Sequence, residues 1–201
     1  MDRLPPMKNP RILDGGCGSG VVSLDIAAMM PCRITALDID EAELQLFREK
    51  ASRAGLDESI EIVHGSIFDV PLAEESFDVI FAEGLLNMMD FKAGFSRLAD
   101  LTRPGGWLII HDEVGGRDGK LRVFAEKECR LIDSFFLDEE VWGKEYFLCI
   151  EASLSGLPAC DGDCVEIKEQ LRKLEKEISD YKKNSVRYRS VYYILEKRQI
   201  S

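Results

Sequence analysis

A chain of 201 residues, 45% hydrophobic and 31% charged, is long enough to bury one good core and has the composition of a globular domain, not of a disordered or membrane-embedded chain. Its formal net charge of −11 opposes attachment to bulk nucleic acid, because phosphate binding draws on Lys and Arg displacing counterions. No apolar run approaches the roughly 18 residues of a membrane helix, and the opening MDRLPPMKNPR lacks the apolar stretch of an export signal, so a cytoplasmic location with no membrane partner is expected.

Strands and helices alternate almost from the start. Residues 11–14 read as a short apolar strand, followed by a glycine cluster over 15–20 and an apolar helix to about Met30, which Pro31 ends. A second strand covers 33–37. Residues 41–54 form a helix with Leu44, Phe47, Lys50 and Ala51 at helical spacing, closed by Gly55. Further strands are expected over 60–63, 77–82 and 107–111, with a helix over 92–101 before the turn at Pro104, Gly105 and Gly106. Apolar strands separated by helices imply a mostly parallel sheet covered on both faces.

Beyond Val114 the pattern loosens. A helix is expected around 122–136, a mixed apolar stretch over 141–154 and a loop over 155–163. Ile167, Leu171, Leu174, Ile178 and Tyr181 then form one apolar stripe on a helix of about five turns, better suited to packing on the protein's own core than to a coiled coil. Residues 190–197 close the chain as a strand. Ten basic and five acidic side chains lie between Lys168 and Arg198, which reads as a solvated helix face or as a patch for an acidic partner. The whole is expected to be one domain: a core over 11–113, helical covering elements over 115–189 and the final strand.

Six cysteines, Cys17, Cys32, Cys129, Cys149, Cys160 and Cys164, read as reduced thiols, since nothing marks the chain for an oxidising compartment.

The chemistry sits where the first strand meets the first helix. In ILDGGCGSG, glycines at 15, 16, 18 and 20 let the backbone turn tightly and let a ligand approach without Cβ atoms in the way. A plain tight turn is the alternative. The second strand ends in ALDID, placing Asp38 about twenty residues after the glycines, where a carboxylate can accept from both ribose hydroxyls and disfavours a 2′-phosphate. A surface carboxylate without a ligand is the alternative there.

ILDGGCGSG, ALDID, GSIFDVPLAEESFDVIFAEGLLNMM and LTRPGGWLIIHDE, in that order from Arg11 to Glu113, resemble the class I S-adenosylmethionine-dependent methyltransferases. The resemblance implies a Rossmann-like three-layer α/β sandwich with a mostly parallel seven-stranded sheet and an antiparallel final strand, here residues 190–197; the sixth strand has no assigned place. It implies S-adenosylmethionine as cofactor and S-adenosylhomocysteine as product. Asp14 and Gly15 would border the methionine part, with Gly16, Gly18 and Gly20 at close approach. Asp38 would hold the ribose, Ile39 would pack on adenine, and Ser66, Ile67 and Phe68 would reach its edge and face. Glu83 and Gly84 would face the methionine and methyl region. Two departures stand out: Ser66 replaces a common Asp, and Asn87 replaces a His found in many small-molecule members.

The spacing also argues against a dinucleotide. A dehydrogenase fingerprint runs GxGxxG, whereas this loop runs GxGxG beside Asp14, an acid that suits a sulfonium and an ammonium better than a pyrophosphate.

Methyl transfer needs alignment in a dry cleft more than it needs a base. If a base acts, His111, Asp112 and Glu113 at the end of the fifth strand are candidates, with a structural role for His111 as the alternative; His64 reads as structural. With about ten residues before Arg11, the cover over the acceptor is expected from 115–185, where Phe135, Phe136, Trp142, Tyr146 and Phe147 line a pocket or pack the core. Cys160 and Cys164, with Cys149, raise methyl transfer to a thiol-bound metalloid as a minor alternative; no resident metal is expected. The expected activity is methyl transfer to a small-molecule acceptor. The alternative is a non-catalytic S-adenosylmethionine-binding or regulatory protein of the same fold. A homo-oligomer stays open.

Overall fold

The structure is a computed structural model that describes residues 4–137, 139–155, 165–185 and 189–199. Its elements run β1 (Arg11–Gly15), α1 (Val21–Met29), β2 (Arg33–Asp38), α2 (Glu41–Ala54), β3 (Ile60–His64), β4 (Phe77–Glu83), a 3-10 turn (Leu86–Met88), α3 (Phe91–Leu101), β5 (Thr102–Glu113), α4 (Arg117–Glu126) and β6 (Cys129–Leu137). Then come α5 (Glu139–Trp142), a π turn (Gly143–Phe147), α6 (Leu148–Ser155), α7 (Val165–Lys183) and β7 (Ser190–Lys197).

The strands form one seven-stranded sheet in the order β3-β2-β1-β4-β5-β7-β6, six of them parallel and β7 antiparallel. The chain winds outward from β1 through β2 to β3 and then returns to the far side of β1 as β4. That reversal places a crevice beyond the carboxyl ends of β1 and β4, the place where open α/β sheets receive ligands. In register, Gly15 lies beside Leu37 and Ala82, Asp38 beside His64, and Glu83 beside His111.

The central strands are apolar on both faces because both are covered. Ile12, Ile34, Val79, Phe81 and Ile109 pack with Ile26 of α1 and with Phe47 and Ala51 of α2. Leu13, Ile80, Leu108 and Ile110 are equally buried, as are Phe95 and Leu98 of α3 and Phe124 of α4. Phe95 and Phe124 sit 4.6 Å apart, and Phe124 meets the edge of Tyr193 from β7 at 5.3 Å. Each such ring contributes about 1.5–3 kcal/mol by leaving water.

Local signals set the helix ends. Asp40 accepts from the N–H groups of Ala42 and Glu43 at the start of α2, Gly55 ends that helix in the left-handed region, and Asp90 accepts from the Ala93 N–H in α3.

One expectation fails. The helix read over 122–136 ends at Glu126, and 129–137 is instead the sixth strand, β6, at the sheet edge beyond β7. Glu128, with φ 55° and its N–H bonded to the Ala125 carbonyl, turns the chain out of α4. Arg130 then pairs with Glu196 of β7 at 2.6 Å. β5 also begins earlier than expected, at Thr102, through an irregularity opposite Phe77 and Val79.

The described chain divides into two compact units, Met1–Ser134 with Tyr192–Ser201, and Phe135–Val191. Within the second, Ile178 of the α7 stripe is buried, Tyr181 stacks on Phe147 at 4.2 Å, and Lys182 pairs with Glu151. Phe136 is exposed. The side chains of Trp142 and Tyr146, the loop at 156–164 and the pairing of Cys149 with Cys160 and Cys164 lie outside the described residues.

Candidate active site

Residues 15–20 close the end of β1 with two backbone bonds to one carbonyl: the N–H groups of Gly16 and Cys17 donate to the Leu37 oxygen at 2.8 and 3.1 Å. Gly16 needs its positive φ of 75° to make that turn, and Leu85 fills the space a Cβ would take. Gly18 (φ 50°) and Gly84 (φ 69°) are different, because a Cβ on either would meet nothing within 4 Å. Both therefore border open space. Gly20 turns its bare face to the Phe47 ring of α2, so its missing Cβ makes room for the core. Lys50, also on α2, donates to the Ser19 carbonyl and ties the loop from outside.

Asp38 stands at the centre of this loop system. One carboxylate oxygen accepts from the Gly18 N–H at 2.8 Å, and the other from the Asp40 N–H at 2.9 Å. The acid at the end of β2 thus fixes the glycine loop against the β2–α2 turn. Across the strand ends lie two more acids. Asp14 is 3% exposed and accepts from the Ser23 hydroxyl at 2.7 Å. Burial pushes its carboxyl up to about 6, against the Ser23 hydrogen bond and with the charges of Glu83 and Asp38 pushing the same way. Burial and the Asp14 and Asp38 charges also push the Cys17 thiol up.

Asp14 carries a prediction for stability. Its folded value of about 6 lies above the ordinary Asp value of 3.8, so between those values the folded state holds a proton that the unfolded chain has lost. The associated stability is full below about pH 4 and is lost as pH rises through 6, on the order of 2–3 kcal/mol. Asp14→Asn is expected to lose less stability between pH 4 and 7 than the wild type in denaturant titrations. An equal loss would show that Asp14 does not carry that proton.

Glu83, at the end of β4, accepts from the Tyr192 hydroxyl at 2.7 Å. The Tyr192 ring stacks on His111 with centroids 4.5 Å apart and planes 23° from parallel. Burial pushes His111 down from 6.5, with Glu83 and Asp112 opposing, which leaves the imidazole neutral at pH 7. On the opposite wall, Ile39 is 71% exposed and Phe68 50%, while Ile67 is buried. The Ser66 hydroxyl oxygen accepts from the Phe68 N–H at 3.2 Å, which shapes the turn after β3. Arg97 of α3 donates to the carbonyls of Ile67 and Leu72 and anchors that turn. His64 lies 3.1 Å from the Ile39 carbonyl and 3.7 Å from Glu41.

The comparisons agree with one another. Residues 12–106 match the family of methyltransferase domains. The O-methyltransferase cnsE of Penicillium expansum is 29% identical over 113 residues, 56% of this chain and 41% of that protein. The ubiquinone/menaquinone biosynthesis C-methyltransferase UbiE of Geotalea daltonii is 33% identical over 105 residues, 51% of this chain and 45% of that protein. The crystal structure of a methyltransferase from Geobacter sulfurreducens, in complex with S-adenosylhomocysteine, superposes with TM-score 0.72 at 18% identity, covering 96% of this chain and 86% of that one. Residues 12–106, just under half of the chain, are thus similar to methyltransferase domains. The fold is the Rossmann-like sandwich of the solved methyltransferases it superposes on. The chain spans less than half the length of either curated relative.

The donor set of the crevice fits S-adenosylmethionine, the cofactor that the sequence resemblance implies. Acids from three strand ends suit a group with a sulfonium and an ammonium, the open faces of Gly18 and Gly84 leave room for it, and the exposed Ile39 and Phe68 offer apolar surface to a base. Of the candidate bases, Asp112 is 3% exposed and paired with Lys120 of α4 at 2.6 Å. Lys120 also donates to the Glu113 carbonyl and lies over the Phe91 ring. Glu113 points to solvent, its N–H donating to Asp112. Tyr192, Lys120 and Ser23 were missed from sequence; a hydroxyl on the inner face of the first helix, one turn past the glycines, was a usable signal for Ser23 alone. Among the described residues no cluster of His, Cys, Asp and Glu could hold a metal ion, and Cys17, Cys32 and Cys129 are free thiols. No described helix is long and apolar enough to cross a membrane.

Proposed function

We propose that the chain binds S-adenosylmethionine in the crevice beyond β1, β2 and β4 and transfers its methyl group to a small-molecule acceptor. The observation that carries the reading is Asp38, held by the Gly18 and Asp40 N–H groups at the rim of the glycine loop, opposite the acids Asp14 and Glu83. Asp38 accepts from the ribose hydroxyls, Ile39 and Phe68 flank the adenine with Ser66 and Ile67 beneath it, and Gly15, Gly16, Gly18 and Gly20 admit the chain of the cofactor. Glu83 and Asp14 face its cationic end, beside Gly84. When bound, the cofactor supplies a methyl group on a sulfonium, open to in-line displacement by a nucleophile.

The relatives do not carry the acceptor over, since one is an O-methyltransferase and the other a C-methyltransferase. Of the three candidate bases, His111 is the one placed to act: it is neutral, and it lies beside Glu83 in register. Asp112 is engaged by Lys120, and Glu113 faces solvent. His111→Ala is expected to lower kcat by about a hundred-fold while leaving cofactor affinity within two-fold, with wild-type activity falling only below pH 6.5. An unchanged kcat would return His111 to a packing role.

The deciding experiment is calorimetric titration with S-adenosylmethionine followed by an S-adenosylhomocysteine release assay over a broad acceptor panel. Release with one acceptor establishes turnover. Binding with no release from any acceptor favours the non-catalytic alternative, and no binding overturns the reading.

A further inference from the structure

We infer that Tyr192 is a positioning residue of this site, its hydroxyl aiming the Glu83 carboxylate at the amino-acid end of the cofactor and its ring carrying His111. The inference rests on the cofactor placement proposed above. It begins from topology. β7 alone runs against the sheet, so its first residues lie where the parallel strands end, and Tyr192 comes back to the crevice 109 residues after Glu83. The neighbour on the opposite face, Tyr193, is fully buried against Phe124. Strand alternation thus splits two adjacent tyrosines into one core residue and one site residue.

A glutamate at a strand end has three side-chain torsions to order before it can meet an ammonium, and each adds an entropic cost to binding. The 2.7 Å bond from Tyr192 to one carboxylate oxygen removes that freedom in advance. The donor keeps its proton at neutral pH: burial and the Glu83 charge push the phenol far above its ordinary range. The same ring stacks on His111 at 4.5 Å. One side chain therefore supports the groups at the ends of two neighbouring strands, β4 and β5.

Tyr192→Phe keeps the ring and removes only the hydroxyl. Loss of a hydrogen bond to a charged group is expected to weaken S-adenosylmethionine and S-adenosylhomocysteine binding about ten-fold each. Binding of 5′-methylthioadenosine, which lacks the amino-acid end, is expected to stay unchanged. A general structural defect weakens all three ligands alike, and that result overturns the inference. So does wild-type affinity of Tyr192→Phe for all three. In a Glu83→Gln background the same substitution is expected to have no further effect on S-adenosylmethionine; a full additional ten-fold loss would show that Tyr192 does not act through Glu83. Failure of the wild type to bind S-adenosylmethionine at all is a separate result and overturns the cofactor placement itself.

Discussion

Asp38→Ala is expected to weaken S-adenosylmethionine binding by about a hundred-fold or more in calorimetric titration. Two losses add. The ribose loses an acceptor for both hydroxyls, and hydrogen bonds to a charged group contribute about 1.5–3 kcal/mol each. The protein loses the bonds from the Gly18 and Asp40 N–H groups, so the glycine loop is no longer held to the β2–α2 turn and must be ordered at the moment of binding. The second loss also acts without ligand, and a thermal midpoint a few degrees lower is expected for the free protein. Asp38→Asn separates the two. Its single side-chain carbonyl can keep one backbone bond and one ribose bond, and an intermediate loss near ten-fold is expected. NAD offers the control, since Asp38 also fits a dinucleotide ribose while Asp14 and Glu83 oppose a pyrophosphate. Wild-type affinity for S-adenosylmethionine in Asp38→Ala would reduce Asp38 to a loop tether and place the ribose elsewhere.

What the sequence made legible is what its local chemistry decides. β1, α1, β2 and α2 were readable because glycine, proline and Asp punctuate them and the apolar period changes between them, and Asp38 was readable because its place follows from the end of β2. β6 was not. In CRLIDSFFL, Leu131 and Phe135 stand four apart, as on a helix, while Cys129, Leu131 and Phe135 also suit alternation. The choice falls to pairing with β7, seen in Arg130 with Glu196 and in the Arg198 N–H donating to the Glu128 carbonyl. Those partners lie some seventy residues away and leave no mark in the local window. Tyr192 was invisible for the same reason, since nothing around VYYILEK says that its first tyrosine returns to Glu83. Asp112 was read as a candidate base because its strand-end position suits one, and the positive end of Lys120, brought back by α4, is what occupies it.

Gly20→Ala is expected to be the most destabilising single-methyl change in the glycine loop, and to act through the core. Gly20 begins α1 at φ 80° and ψ 23°, a left-handed conformation that costs an alanine about 1–2 kcal/mol. Its new Cβ would fall inside the van der Waals envelope of the Phe47 ring, at Cγ, Cδ2 and Cε2. Phe47 is fully buried among β1, β2 and α1 residues, so the ring can move only by displacing its neighbours, at about 1–3 kcal/mol. The sum, about 2–5 kcal/mol, is a large part of the 5–15 kcal/mol that stabilises a typical domain, and a midpoint lower by roughly 10 °C is expected. Gly20→Ala with Phe47→Leu should recover the steric part and not the backbone part. Gly18→Ala is the contrast. A Cβ there meets nothing, so the stability cost is the left-handed backbone alone, about 1–2 kcal/mol, and the larger effect falls on cofactor affinity. Two glycines two residues apart therefore serve different masters: equal destabilisation by the two substitutions would refute that division, whereas a stable Gly18→Ala that binds poorly beside an unstable Gly20→Ala would place the cofactor on the Gly18 side of the loop.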